Sequence, residues 1–189
     1  TIGPWVERGH ALMNRLEALP VPVVARVEGY ALGGGLELAM ACDLIFASCN
    51  GKFGQTETKL GFVTGWGGSY RLVRRVGLAR AKELAFSGRI FDADEAVRLG
   101  VAEWSGTPEA LALHLREFLA AAAANSRVAN REMKRLLVSC LSTGLAENVA
   151  LESAASQRCL GEEGEAAERL RTFLAKKKPA PGAHLQHAP

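Results

Sequence analysis

The stretch from Val21 to Ala41 constrains the fold more than any other. An apolar, β-branched run (Val21 to Val27) leads into Gly29-Tyr30-Ala31-Leu32-Gly33-Gly34-Gly35, and then directly into the short apolar run Leu36 to Ala41. The first run reads as a largely buried strand, the glycine-rich segment as a turn, and the last as a helix. Asp43 to Ser48 reads as a second strand. A chain built this way alternates strand, glycine turn and helix, which is the pattern of an α/β fold.

The rest of the chain follows from the same signals. Trp5, Leu12, Leu16 and Leu19 recur at helical spacing, and Pro20 and Pro22 end that helix. Residues 50–68 read as irregular and hold six of the 20 glycines. Short helices are expected at Ser69 to Val76 and Ala79 to Phe86. Asp92-Ala93-Asp94-Glu95 resembles a capping box that opens a helix ending at Gly100. Val101 to Trp104 reads as a short strand. Thr107-Pro108-Glu109 is an N-cap with proline at the first helical position, and Leu111, Leu115, Phe118, Leu119 and Ala122 form one apolar face beyond it. Further helices are expected over Arg127 to Val138, Leu145 to Leu160 and Glu163 to Lys177. The reading divides the chain into an α/β part at 1–105, a helical region at 106–178 and a disordered Pro/Ala/His-rich tail at 179–189.

Composition removes several function classes. With 48% hydrophobic and 23% charged residues and a net charge of +3, the chain is ordinary globular material without a clustered basic face, so no nucleic-acid partner is expected. Cys42, Cys49, Cys140 and Cys159 lie far apart without a CxxC pair, and are expected to be reduced, mostly buried thiols rather than ligands or disulfides. No metal site is expected. No run approaches the ~18 apolar residues of a membrane span, and no signal peptide is seen, so the expected location is cytoplasmic and away from membranes. The chain starts at Thr1 within an expected helix.

Two carboxylates stand out. Glu37 follows Gly33-Gly34-Gly35 and is flanked by Leu36, Leu38, Ala39, Met40 and Ala41. The glycines allow a ligand close to the backbone, and free N–H groups at a helix start favour negative charge or a developing oxyanion. A buried carboxylate beside them suits proton transfer. The alternatives are a tight turn packed on a sheet and an ion pair with an arginine such as Arg26. Glu57 lies in Phe53-Gly54-Gln55-Thr56-Glu57, a glycine-rich loop that continues to Gly65-Trp66-Gly67-Gly68. Loops of this kind carry function, although a loop glutamate is more often solvated. Neither cluster has dinucleotide-binding or P-loop spacing, and G-x-S-x-G is absent.

These residues, with Cys42-Asp43, Leu60-Gly61, Arg71-Leu72, Val76-Gly77, Ala81, Gly88, Ala93, Ala96 and Gly100-Val101, resemble the enoyl-CoA hydratase/isomerase (crotonase) family. The resemblance is close over 20–104 and looser in the helical part. It implies a spiral of ββα turns, incomplete at its N-terminal end, followed by helices that assemble trimers or hexamers. It implies hydration of a 2-enoyl-CoA, with Glu37 and Glu57 holding the water and the Gly34 N–H polarising the thioester carbonyl. Gly33, Gly65 and Trp66 would line the acyl site. Phe173 and Lys176 would approach the CoA of a neighbouring subunit. Coenzyme A enters as part of the substrate, with no separate cofactor.

The sequence departs from that pattern in three places. About sixty opening residues of the family, which supply the second oxyanion N–H, are not in this chain. Thr64 stands where relatives often have proline, and Trp66 is bulky for an acyl-site loop. Isomerase, hydrolase or decarboxylase chemistry on the same scaffold, and a non-catalytic or RNA-binding member, are the alternatives. The last is disfavoured by an early helix without lysine.

Overall fold

The computed structural model describes residues 2–161 and 165–176. The described residues fall into two compact units divided between Ala122 and Ala123. The tail from residue 179 lies outside the described residues.

The first unit opens with helix α1 (Ile2–Glu17), followed by strands β1 (Val24–Val27) and β2 (Tyr30–Leu32) and helix α2 (Gly34–Met40). Strands β3 (Leu44–Ser48) and β4 (Lys52–Gly54) lead through a 3-10 turn (Glu57–Leu60) to α3 (Gly68–Val76) and α4 (Leu78–Ser87). Then come β5 (Phe91–Asp92), α5 (Ala93–Leu99), β6 (Trp104–Gly106) and α6 (Pro108–Ala124). Each strand pair turns a corner and joins two different sheets. One sheet has the order β1-β3-β6, all parallel, and the other β2-β4-β5. β2 runs parallel to β4, with Leu32 opposite Gly54, and β5 is antiparallel to β4. Successive ββα turns therefore stack in register, Val24 on Leu44 and Tyr30 on Lys52.

The core lies inside this stack. Leu36, Ile45, Phe53, Leu72, Leu84 and Val101 are essentially inaccessible to solvent. Each such side chain contributes roughly 1.5–3 kcal/mol by leaving water. Phe53 and Phe91 stack across β4 and β5 with centroids 6.0 Å apart. On the other sheet, Phe46 and Trp104 receive His114 of α6, the imidazole lying flat on the indole at 4.5 Å. Within the second unit, α7 (Arg127–Ser139) packs on α8 (Leu145–Leu160), and α9 (Ala166–Lys176) follows. Buried Glu132 of α7 takes Arg158 of α8 at 2.7 Å, with Arg131 and Arg135 also on it.

Several expectations change. The glycine-rich segment is not all turn: Tyr30–Leu32 is a strand, and α2 begins at Gly34, two residues earlier than the apolar run suggests. The region 50–68 is not irregular throughout, since it holds β4 and the 3-10 turn. The opening strand is shorter and less buried than its composition implies. It starts at Val24 and hides only Val27, leaving Val21 half exposed. The last strand is displaced to Trp104–Gly106, because Val101 and Ala102 turn back to hydrogen-bond Ala96 after the left-handed Gly100. The cysteines are free thiols but none is buried. The Asp92 cap forms as expected, accepting from the Glu95 N–H at 2.8 Å.

Candidate active site

Two glycine motifs build the site from opposite sides. Gly33 adopts φ 50° and ψ −120°, a conformation closed to side-chain-bearing residues, and this lets β2 turn abruptly into α2. Its N–H donates to the Gly54 carbonyl at 2.9 Å and so pins the start of α2 to the end of β4. Gly34, Gly35 and Leu36, in the first turn of α2, have no intrahelical acceptor available to their amides.

Glu37 lies one turn into α2 and is 2% exposed. It is not paired with Arg26, which binds Glu28 instead. One carboxylate oxygen, Oε1, accepts both the Trp66 N–H at 2.8 Å and the Gly68 N–H at 2.7 Å. That oxygen therefore holds the 65–68 loop. Glu57 begins the 3-10 turn and is half-buried. Its Oε1 accepts from the Gln55 side-chain amide at 2.7 Å, and its Oε2 is shielded from solvent with no partner among the described residues.

Glu37 lies against Gly68 and Glu57 against Gly33, and Gln55 links the two places. A methyl group at Gly68 would lie 2.9 Å from the Gln55 amide oxygen and 3.0 Å from Glu37 Cγ. A methyl group at Gly33 would touch the Glu57 carboxyl carbon at 3.4 Å. Glu37, Gln55 and Glu57 thus form a continuous line past two residues that have no side chain. The arrangement joins, through Gln55, one carboxylate anchored by main-chain donors to one carrying a shielded oxygen with no partner among the described residues. Carboxylates in such surroundings are groups that can take up and give up protons.

Trp66 stands against the same place. Its ring edge lies 2.9 Å from where a Cβ on Gly34 would be, and its pyrrole edge lies 1.9 Å from that position on Gly9 of α1. The indole is therefore wedged between α1 and the start of α2, with Trp5 at 4.6 Å. Gly65 does not start a helix. It sits in the loop three residues before α3, under Trp5 and Val6, because left-handed Gly67 (φ 100°) is the residue that turns into α3. Phe173 lies half exposed on α9 in the second unit, and the side chain of Lys176 lies outside the described residues.

Two supporting residues, both within the family-like motifs of the sequence, had no role assigned to them there. Gln55 orients Glu57. Buried Arg71 donates to the Trp66 carbonyl at 2.9 Å and to Asn14 and Glu17 of α1 at 3.0 and 2.9 Å. A basic residue on the apolar face of α3 was the available clue to Arg71. Among the described residues no cluster of three or more His, Cys, Asp or Glu is placed to hold a metal, and no helix is long and apolar enough to cross a membrane.

Comparison with known proteins adds to this geometry. The family model described as enoyl-CoA hydratase/isomerase matches residues 5–182. The mitochondrial methylglutaconyl-CoA hydratase of Rattus norvegicus is 40% identical over 188 residues, covering 95% of this chain and 57% of that protein. The short-chain-enoyl-CoA hydratase of Clostridium acetobutylicum is 37% identical over 170 residues, covering 90% of this chain and 65% of that one. The chain therefore spans about three fifths of the length of these curated relatives. Among solved structures, an enoyl-CoA hydratase from Bacillus anthracis superposes with a TM-score of 0.86 at 34% identity, over 93% of this chain and 67% of that one.

Proposed function

The chain belongs to the enoyl-CoA hydratase/isomerase family, and on that premise we propose that it serves the hydration of a 2-enoyl-CoA thioester to a 3-hydroxyacyl-CoA. The observation that carries this reading is the line of Glu37, Gln55 and Glu57 past Gly68 and Gly33. Relatives of the two hydratase kinds named above favour hydration over other reactions on the scaffold.

In the proposed reaction the thioester carbonyl oxygen faces the Gly34 N–H at the start of α2. Water, held between the two carboxylates, adds its oxygen to C3. One carboxylate takes the water proton and the other delivers a proton to C2, so the elements of water are divided across the double bond. The oxygens assigned to this traffic are Glu37 Oε2 and Glu57 Oε2, of which the latter is shielded and has no partner among the described residues. As the bond forms, negative charge grows on the thioester oxygen, where a fixed N–H donor contributes several kcal/mol. Gly33, Gly65 and Trp66 bound the acyl side. Phe173 and Lys176 belong, on this reading, to a CoA contact made across subunits of a trimer or hexamer. No cofactor beyond the thioester's own coenzyme A is invoked, and the reaction is placed in the cytoplasm.

The test is Glu57→Gln, read by loss of the conjugated thioester absorbance of crotonyl-CoA. The substitution keeps the Gln55 contact available, so thermal stability should stay within about 0.5 kcal/mol. Hydration should fall by roughly 10²–10⁴-fold, the usual weight of a positioned acid or base. Full activity after this substitution would remove Glu57 from the mechanism.

A further inference from the structure

The backbone from Trp66 to Gly68 runs between two buried charged side chains of opposite sign. On one side, Glu37 Oε1 accepts the Trp66 and Gly68 N–H groups at 2.8 and 2.7 Å. On the other, Arg71 Nη1 donates to the Trp66 carbonyl at 2.9 Å. Both residues are 2% exposed. The glycines between them leave room for each. A Cβ on Gly67 would run into Arg71 Nη1, and one on Gly68 would lie 3.0 Å from Glu37 Cγ. Trp66 is thus gripped at its N–H by the acid and at its carbonyl by the guanidinium.

Arg71 also reaches α1, where Nη2 donates to Asn14 Oδ1 at 3.0 Å and to Glu17 Oε2 at 2.9 Å. Fastening α1 does not by itself call for a buried guanidinium. An apolar side chain of similar volume holds two helices together as well or better, because taking a charge out of water is costly. That cost is only partly offset here, since Arg71 Nε is shielded from solvent with no partner among the described residues. What an apolar side chain cannot supply is a charged donor fixed on the Trp66 carbonyl.

We infer that Arg71 is a positioning residue for Glu37. From α3 it clamps the Trp66 carbonyl, and so fixes the two amides that aim the Glu37 carboxylate. This deepens the hydratase reading and rests on it. Without the clamp the loop relaxes and the acid leaves its line of proton transfer, which slows the chemical step and spares substrate affinity.

The test is steady-state hydration of crotonyl-CoA by the full chain, with a thermal melt of each variant beside it. Arg71→Met should lower kcat by roughly 10- to 100-fold and leave KM within about twofold. In a Glu37→Gln background the same substitution should lower kcat by less than about threefold, because residues that act as one unit do not add. A paired Asn14→Ala, Glu17→Gln variant frees α1 but leaves the grip on Trp66. It should melt earlier than the native chain yet keep kcat within about threefold. If Arg71→Met does not fold, Arg71→Lys takes its place, keeping the charge without the planar fork, and should show a smaller loss with the same non-additivity. Native kcat after these Arg71 substitutions, equal losses in the native and Glu37→Gln backgrounds, or a paired α1 variant as slow as the Arg71 variant would each reduce Arg71 to a fastening for α1 and overturn the inference. Absence of hydration by the native chain would instead strike the hydratase reading, and this one with it.

Discussion

On the proposed chemistry Glu37 has two jobs, one structural and one in proton transfer, that substitution can separate. Its Oε1 satisfies two main-chain amides, Trp66 and Gly68, at 2.8 and 2.7 Å. Glu37→Gln can keep an oxygen there, so the loop should hold while hydration falls. Glu37→Ala leaves both amides without their acceptor, at about 1–3 kcal/mol for each one that stays buried. A denaturant titration should therefore place the alanine protein well below the glutamine protein. Gly9 offers a second residue-level test. Inside a helix, Gly→Ala ordinarily stabilises by up to about 1 kcal/mol. Here the added methyl would meet the Trp66 indole at 1.9 Å, so Gly9→Ala should lower the melting temperature, and in a Trp66→Ala background the same change should no longer do so. A Gly9→Ala protein more stable than the native one would mean that the indole does not rest on α1. Glu37 and Glu57 were legible from the sequence because one sits in an apolar run and the other in a glycine-rich loop, and the family resemblance singled out both. Gln55 and Arg71 stood in the quoted motifs without a role. That of Arg71 depends on partners brought close only by folding, Asn14 and Glu17, more than fifty residues away, and that of Gln55 on its amide turning onto Glu57 two residues on.

Among the elements, the α7–α8 pair carries an acid-side pH dependence. The Arg158 guanidinium hydrogen-bonded to Glu132, with Arg131 and Arg135 beside it, holds that carboxyl below its ordinary value of 4.5 against the opposing effect of burial. The unfolded chain therefore takes up this proton first as pH falls. The stabilisation is complete above about 4.5 and is lost as pH drops through the lower folded value. Glu132→Gln should flatten that acid limb in melts of the second unit's helices, and an unchanged limb would show that the carboxylate is not responsible. The elements also show where sequence reading stops. Helices were readable because their apolar residues recur over two turns or more, and the Asp92 and Gly100 signals bounded α5 closely. The strands β2, β4 and β5 have three, three and two residues, too few for an alternation to declare itself. Val101 and Ala102 look like a strand because they are buried and apolar, but they serve the turn after α5.

For the whole molecule, the stacked ββα turns follow from one readable unit, the strand, glycine turn and helix at 21–41, repeated with variation. The boundary between the two compact units falls in the last turn of α6, because no composition change marks where that helix leaves one unit for the other. The molecule leaves large apolar side chains in water, among them Leu60, Val63 and Phe86, each at least three-quarters exposed. Side chains of this kind are what the proposed association of subunits would cover. With the trimer proposed above, sedimentation should give a particle about three times 20.2 kDa, or a multiple of it, and a monomer at micromolar concentration would remove the shared CoA contact. One further consequence follows from the hydrogen bond between Gly33 and Gly54. It ties the first turn of α2 to the strand that leads to Glu57 across a single inter-strand step, about 4.8 Å. On the proposed chemistry, the protein carries a fixed gauge between the donor that meets the acyl carbonyl and the acids that serve the carbons beside it. The tail attached to those carbons can vary, but the gauge itself cannot be stretched without unzipping β2 from β4.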